Sequence, residues 1–306
     1  MKYLVTGGAG FIGSSIVRKL LSDGQSVRVL DDFSSGKEEN LSDIINDIEL
    51  IRGDIRDNST VKNAVNKIDY VLHQAAIASV PRSVEDPVTS NAVNIDGTLL
   101  ILEASKQAGV KRLVMASSAA IYGESEELPK HEEMIPSPLS PYAITKITNE
   151  YYCRAYWNLY GFEAVCLRYF NIFGPRQDPN GDYAPVIPKF INCLRDGKTP
   201  IVFGDGEQSR DFIYIDNAVS ANLLALKADG MAGDVFNVAA DTPITLNQLL
   251  DKLREIMGSD LKARYEPART GDIRHSYADV AKIKKCGYNL SVDFDEGLRQ
   301  TVKFFA

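Results

Sequence analysis

The sequence predicts an α/β fold, a doubly wound parallel sheet followed by a smaller C-terminal α/β lobe. Three observations carry that expectation. Short apolar runs alternate with amphipathic segments through the first half of the chain. A glycine-rich turn directly follows the first of those runs, and beyond about Asn171 prolines and glycines cut the pattern into shorter pieces. Strand–helix–strand repetition requires crossover connections, and these build parallel sheets with helices on both faces.

Taken in order, Tyr3–Thr6, Val27–Leu30, Glu49–Arg52, Tyr70–His73, Leu113–Ser117 and Ala164–Arg168 read as buried strands. Phe11–Ser22, Thr60–Asn66, Val88–Ala108 and Tyr142–Tyr160 read as the intervening helices. Gly24, Gly109 and Gly161 each follow such a segment, where a helix C-terminus favours a residue free to take positive φ. Pro175, Pro179, Pro185 and Pro188 then mark a loop-rich passage. Beyond it lie helix Val186–Asp196, strand Ile201–Phe203, helix Asn217–Lys227, strand Val235–Val238 and helix Leu246–Met257, the last capped by Thr245. This second part is too interrupted for a core of its own. The expected division is 1–170 and 171–306, the second part folded over the carboxyl edge of the sheet and weaving back to it near 212–240.

At 306 residues the chain can bury an ample core, and 44% apolar with 25% charged residues is ordinary for a soluble globular protein. A net charge of −7 argues against a nucleic-acid surface, which needs a basic excess. The cysteines Cys153, Cys166, Cys193 and Cys286 lack a paired spacing, and His73, His131 and His275 are far apart, so no metal site is expected. The apolar start at Met1–Val5 stops at Thr6-Gly7-Gly8, too short for a signal-peptide core. No stretch approaches the ~20 apolar residues of a membrane span. A cytoplasmic protein with reduced thiols is the expectation.

Gly7-Gly8-Ala9-Gly10-Phe11-Ile12-Gly13 follows a strand and opens a helix. Gly7 permits the tight turn, Gly10 the close approach of backbone to a pyrophosphate, and Gly13 the packing of helix on strand. The helix N-terminus adds N–H donors for the anion. Asp31 ends the next strand, placed to accept hydrogen bonds from the adenine-ribose hydroxyls. Its carboxylate would repel a 2′-phosphate, so NAD is favoured over NADP. Asp54, ending the third strand, is suited to the adenine edge, and Ala75 and Ala76, after the fourth, let backbone run close to the cofactor. His73 reads as packed, not catalytic.

Pro141-Tyr142-Ala143-Ile144-Thr145-Lys146 carries the reactive chemistry. Proline at a helix start makes Tyr142 and Lys146 an i,i+4 pair on one face. A free tyrosine, with a pKa near ~10, is a poor base at neutral pH. A fixed ammonium stabilises the phenolate, and a serine ending the neighbouring strand could hold the hydroxyl being deprotonated.

With the glycine turn, Asp31, the strand-end serines and the Tyr142/Lys146 pair in this order, the chain resembles the extended short-chain dehydrogenase/reductase family over essentially its whole length. Within that family it is most similar to the sugar-nucleotide 4-epimerases of the UDP-N-acetylglucosamine/UDP-glucose type. Val80-Pro81-Arg82-Ser83-Val84-Glu85-Asp86-Pro87, Arg168-Tyr169-Phe170-Asn171, Ser209-Arg210-Asp211-Phe212 and Gly271-Asp272-Ile273-Arg274-His275-Ser276 carry that closer likeness.

The resemblance implies a Rossmann domain and position-by-position roles. Tyr142 would be the acid/base, Lys146 would hold the nicotinamide ribose and lower the tyrosine pKa, Ser118 would bond the sugar 4-hydroxyl, and Ser117 would line the nicotinamide. Phe11, Ile12, Ile55, Gln74 and Asn94 would complete the cofactor set. Arg82, Asn171, Arg210, Arg269 and Asp272 would bind the substrate, mostly at its diphosphate, and the strand from Ile201 to Phe203 would face the uracil.

Departures from relatives narrow the reaction. Where 4,6-dehydratases carry an Asp-Glu pair after the strand-end serine, this chain has Ala119 and Ala120, which cannot transfer protons. Ser276 stands where glucose-only epimerases often carry a tyrosine, leaving room for a 2-acetamido group. The expected activity is NAD-dependent 4-epimerisation of UDP-glucose and of UDP-N-acetylglucosamine through a 4-keto intermediate. A UDP-glucuronate epimerase or decarboxylase is the alternative, and a non-catalytic NAD-sensing regulator a remote one. A homodimer is expected, pairing Val88–Ala108 and Tyr142–Tyr160 of two copies.

Overall fold

The computed structural model describes residues 1–180, 185–268 and 273–306. Its central sheet uses β1 (Lys2–Thr6), β2 (Ser26–Asp31), β3 (Ile48–Arg52), β4 (Tyr70–His73), β5 (Arg112–Ser118), β6 (Ala164–Tyr169) and β11 (Val235–Val238), all parallel, in the order β11-β6-β5-β4-β1-β2-β3. Strand order reverses between β1 and β4, which opens a crevice at their carboxyl ends.

Alternate side chains supply the two faces. Val5, Val29, Leu72, Val114 and Leu167 pack toward α1 (Phe11–Ser22) and α8 (Ile215–Ala225). Leu4, Leu30, Val71, Leu113 and Cys166 pack toward α2 (Asn58–Val65), α5 (Thr98–Gln107) and α6 (Pro141–Tyr160). Each such apolar side chain contributes about 1.5–3 kcal/mol when removed from water, so both covered faces drive assembly.

Local signals explain the boundaries. The expected helix at Thr60 begins at Asn58 because the Asp57 carboxylate caps it, accepting from the Ser59 and Thr60 amides. Ser140 caps α6, Pro141 takes its first position, and Gly161 ends it at φ 63°. The expected single helix Val88–Ala108 is instead α4 (Pro87–Asn91), a wider π-type turn (Ala92–Gly97) and α5. Two close contacts lie at this turn. Asn94 is buried with its amide bonded to the Ile77 backbone and to Thr145, and Gly97 presses on Ile55.

The smaller lobe lies beyond the carboxyl edge. It is built from β8 (Ile201–Phe203) with β13 (Arg264–Glu266), and from β9 (Ser209–Asp211) between β12 (Pro243–Thr245) and β14 (His275–Ser276). Helices α7 (Val186–Arg195), α9 (Leu246–Met257) and α11 (Phe294–Phe305) pack on one another behind them. β7 (Ile172–Phe173) pairs with β10 (Ile213–Tyr214) and bridges the parts, after which α8 returns to α1 and β11 joins the main sheet.

Candidate active site

The crevice holds a cavity of about 680 Å³ whose floor is the glycine turn. Gly7 has φ +66°, and a Cβ on it would meet the Ala75 nitrogen at 2.7 Å. A Cβ on Gly13 would lie 2.0 Å from the Gly7 carbonyl oxygen. Only glycine fits at either position, and the cradle is open to a bulky anion. Helix α1 starts beside it with Gly10 as N-cap, no side-chain cap and no acidic residue in its first turn. Its first N–H groups therefore remain available to a phosphate.

Asp31 is buried and accepts from the Ala9 and Phe33 amides, each at 2.8 Å. Burial raises its pKa while those donors oppose the shift. A carboxylate has about four lone-pair sites, so two amides leave capacity for ribose hydroxyls. Phe11, Ile12, Asp54, Ile55, Gln74, Ala75 and Ala76 complete this wall. The Asp54 carboxylate is engaged by Arg56, with Nε at 2.9 Å, and Gln74 is held between Tyr169 and Asn222. The glycine cradle, the uncapped helix start and the buried acid fit a dinucleotide. Asn94 departs from expectation: its amide is spent on Ile77 and Thr145, so it braces the wall from behind.

Ser117, Ser118, Tyr142 and Lys146 line the same cavity. Tyr142 and Lys146 are 9% and 5% exposed, and the Lys146 nitrogen lies 5.7 Å from the Tyr142 ring centroid. Burial pushes the Tyr142 hydroxyl up in pKa, against its hydrogen bond with Ser118. Burial pushes Lys146 down to about 8. Lys146 donates to the Ala116 carbonyl at 2.8 Å, and Ser118 also caps the turn Ala119–Tyr122 through the Ala120 amide. The Tyr142 amide donates to Ser83 at 3.0 Å, which fixes the start of α6. His73 is packed, bonded to Thr6 at 2.7 Å and Thr98 at 2.9 Å.

A second cavity of about 410 Å³ lies in the smaller lobe. Asn171, Ile172 and Gln177 belong to both walls, so the two cavities adjoin. Ile201, Phe203 and Arg210 line the second cavity, whereas Arg82 lines the first. Ser276 pairs in register with Arg210 and shares its face of the small sheet. Arg269 and Asp272 lie outside the described residues. Lys189, Gln177, Gln208 and Phe212 also line the second cavity and escaped the sequence reading. Gln208 could have been found as a polar residue in the turn after β8, where it donates to the Phe203 carbonyl at 2.6 Å.

Among the described residues no group of three or more His, Cys, Asp or Glu side chains could hold a metal ion, and no helix is long and apolar enough to cross a membrane. All four cysteines are free.

A glycine cradle at a sheet's switch point, an acid after β2 and a Tyr/Lys pair facing them define a dinucleotide-dependent enzyme of the short-chain dehydrogenase/reductase type. Residues 3–239 match the NAD dependent epimerase/dehydratase family, and the chain belongs to that family. Among curated relatives, it is 38% identical to a putative UDP-glucose 4-epimerase of Methanocaldococcus jannaschii, covering 98% of this chain and 97% of the relative. Among solved structures, a UDP-N-acetylglucosamine 4-epimerase from Methanobrevibacter ruminantium, in complex with UDP-N-acetylmuramic acid, superposes with TM-score 0.95 at 42% identity. That match covers 99% of this chain and 97% of the other. The Thermus thermophilus UDP-glucose 4-epimerase in complex with NAD gives TM-score 0.90 at 40% identity, covering 100% and 99%. The cofactor is NAD, and these three relatives are named as UDP-sugar 4-epimerases.

Proposed function

We propose that this enzyme interconverts the C4 epimers of UDP-hexoses, both UDP-glucose/UDP-galactose and UDP-N-acetylglucosamine/UDP-N-acetylgalactosamine, with NAD retained through the cycle. The observation that carries this reading is that Tyr142, hydrogen-bonded to Ser118, lines the glycine-floored cavity, whose wall shares Asn171, Ile172 and Gln177 with the second one.

The substrate's nucleotide end occupies the second cavity, with Phe203 and Ile201 against the base and Arg210 and Asn171 toward the diphosphate. Two-electron chemistry at C4, out and back, is what bound NAD supplies. Tyr142 as phenolate takes the proton of the 4-hydroxyl while Ser118 holds that oxygen, and it returns the proton when the carbonyl is reduced. Lys146 orients the nicotinamide ribose, and its charge favours the phenolate that burial opposes. For the product to be the epimer, the flat 4-keto sugar must turn over while its diphosphate stays anchored. Binding groups concentrated on the nucleotide side allow this. Ala119 and Ala120 offer no second acid or base, so the ketone is not carried on to dehydration. Ser276 leaves space for a 2-acetamido group.

A homodimer in the cytoplasm completes the reading. Val84, Val88, Ile144 and Tyr151 are 62%, 78%, 50% and 60% exposed on neighbouring helices, an apolar surface suited to a second copy. Sedimentation at monomer mass would refute the dimer. Incubation with UDP-galactose and with UDP-N-acetylgalactosamine, without added NAD, tests the reaction. Formation of both epimers is expected; carbon dioxide release from UDP-glucuronate, without epimerisation of either substrate, would assign a decarboxylase instead.

A further inference from the structure

Beneath the Tyr142/Lys146 pair lies a buried ion pair that the proposed mechanism does not use. Glu150, one helical turn after Lys146, is 4% exposed, and Arg168 on β6 is 3% exposed. Arg168 grips Glu150 with two nitrogens, Nε to Oε1 at 3.0 Å and an Nη to Oε2 at 2.7 Å. Ser117, next to Ser118, donates its hydroxyl to the same carboxylate. Arg168 also donates to the Tyr122 hydroxyl at 2.8 Å, Tyr122 donates to Asn237 at 2.7 Å, and the Asn237 backbone amide donates to Glu132 at 2.7 Å. A chain of buried bonds thus runs from β11 to the strand end that carries Ser118.

Burying charge is expensive, and a buried ion pair is weak grounds for stability, since apolar replacements often fold as well. Its position calls for another account. We propose that Glu150 is a positioning residue for proton transfer: it fixes Ser117 at the end of β5 and supplies the negative charge that keeps the Lys146 ammonium in place. The inference rests on the functional reading above.

The surroundings of Lys146 support it. On its own helix it faces Tyr142 and Glu150. β4 presents His73, and β6 presents Cys166 and Arg168. Tyr122 lies beyond Arg168. On α3 (Val80–Glu85), Arg82 lines the cleft and Glu85 is exposed; Asp96 in the π-type turn is exposed, and Glu103 on α5 is bound to Tyr156 further along. Burial lowers Lys146, with Cys166 and Glu150 opposing. The Cys166 thiol is itself held protonated by its hydrogen bond with Cys153 and by burial. His73 is held neutral by burial. Among these neighbours Glu150, ion-paired with Arg168, is the buried carboxylate one helical turn from Lys146.

The test follows the Lys146 amine directly, by NMR of protein labelled at lysine Cε, with the resonance assigned through K146R. The wild type should titrate near pH 8. Glu150→Gln should move that midpoint down by about one unit, as loss of a close opposite charge does. Because Glu150→Gln strands Arg168 and could unfold the protein, the charge-neutral double variant E150Q/R168Q is measured beside it. A smaller downward shift is expected there, because losing the Arg168 cation offsets part of the lost negative charge, with the alkaline limb of kcat/KM following. An unchanged midpoint in the folded double variant overturns the proposal. Should the wild type turn over no UDP-hexose, the functional reading fails, yet the titration still decides the role of Glu150.

Discussion

The Lys146 ammonium donates to the Ala116 carbonyl at 2.8 Å, which fastens the helix that carries Tyr142 to the strand that ends in Ser117 and Ser118. Tyr142 and Ser118, the proposed base and hydroxyl holder, are thereby set on two fastened elements. Tyr142→Phe removes one oxygen and leaves that fastening intact. Turnover should fall by about 10²–10⁴, the usual share of a positioned acid/base, while UDP affinity by calorimetry stays within about twofold. Retained turnover would refute the assignment of Tyr142.

In the proposed mechanism Lys146 sets the alkaline limit. Burial lowers its pKa to about 8, so the cation is present below that pH and lost as pH rises through it. With the charge goes the group to which the proposed mechanism assigns the Tyr142 phenolate and the cofactor ribose. The kcat/KM profile should decline above about pH 8. Lys146→Arg, which keeps its charge at all these pH values, should be slower yet lack that decline. A limb at the same pH in both enzymes would assign it to another group.

The periodicity of the chain made the main sheet and its helices legible because each strand carries a run of apolar residues and glycines follow several of the helices. It misread Val88–Ala108 as one regular helix, since the π-type turn comes from tertiary contacts of Asn94 and Gly97 that no local pattern announces. The two- and three-residue strands β7, β9, β10, β12, β13 and β14 were illegible for the same reason: they are defined by partners far away in the chain. Helix α11 offered a signal that went unused, the Asp293 cap with Leu298 and Val302 on one face. In the site, the glycine turn and Tyr142/Lys146 could be found because spacing alone determines their geometry. Glu150 and Arg168 were hidden, being ordinary charges until the fold closes them against each other.

Ser276 lies opposite Arg210 in the pairing of β14 with β9, so its side chain projects from the same face as a residue of the second cavity. Enlarging it to tyrosine adds bulk to that face, beside Arg210 of the second cavity. Ser276→Tyr should suppress turnover of UDP-N-acetylgalactosamine at least tenfold more than that of UDP-galactose, equivalent to about 1.4 kcal/mol of discrimination. Competition assays with the two substrates read the ratio directly. Equal loss on both would remove Ser276 from substrate selection.

His73 makes the fold sensitive to acid. It is fully enclosed between Thr6 and Thr98, and burial, aided by the Lys146 charge, lowers its pKa from 6.5 to about 3. An unfolded chain takes up a proton at this residue near pH 6.5, whereas the folded chain refuses it until about pH 3, so protonation favours unfolding. The associated stability is present above pH 6.5 and lost as pH falls, by roughly 3 kcal/mol at about pH 4. Buried Asp31 and Asp211, with raised pKa values, act in the opposite sense. The histidine is therefore isolated by difference. Urea unfolding of the wild type and of His73→Gln should show the wild type losing stability more steeply between pH 6.5 and pH 4, even though the variant starts lower. Parallel curves would mean that His73 is not the group that titrates.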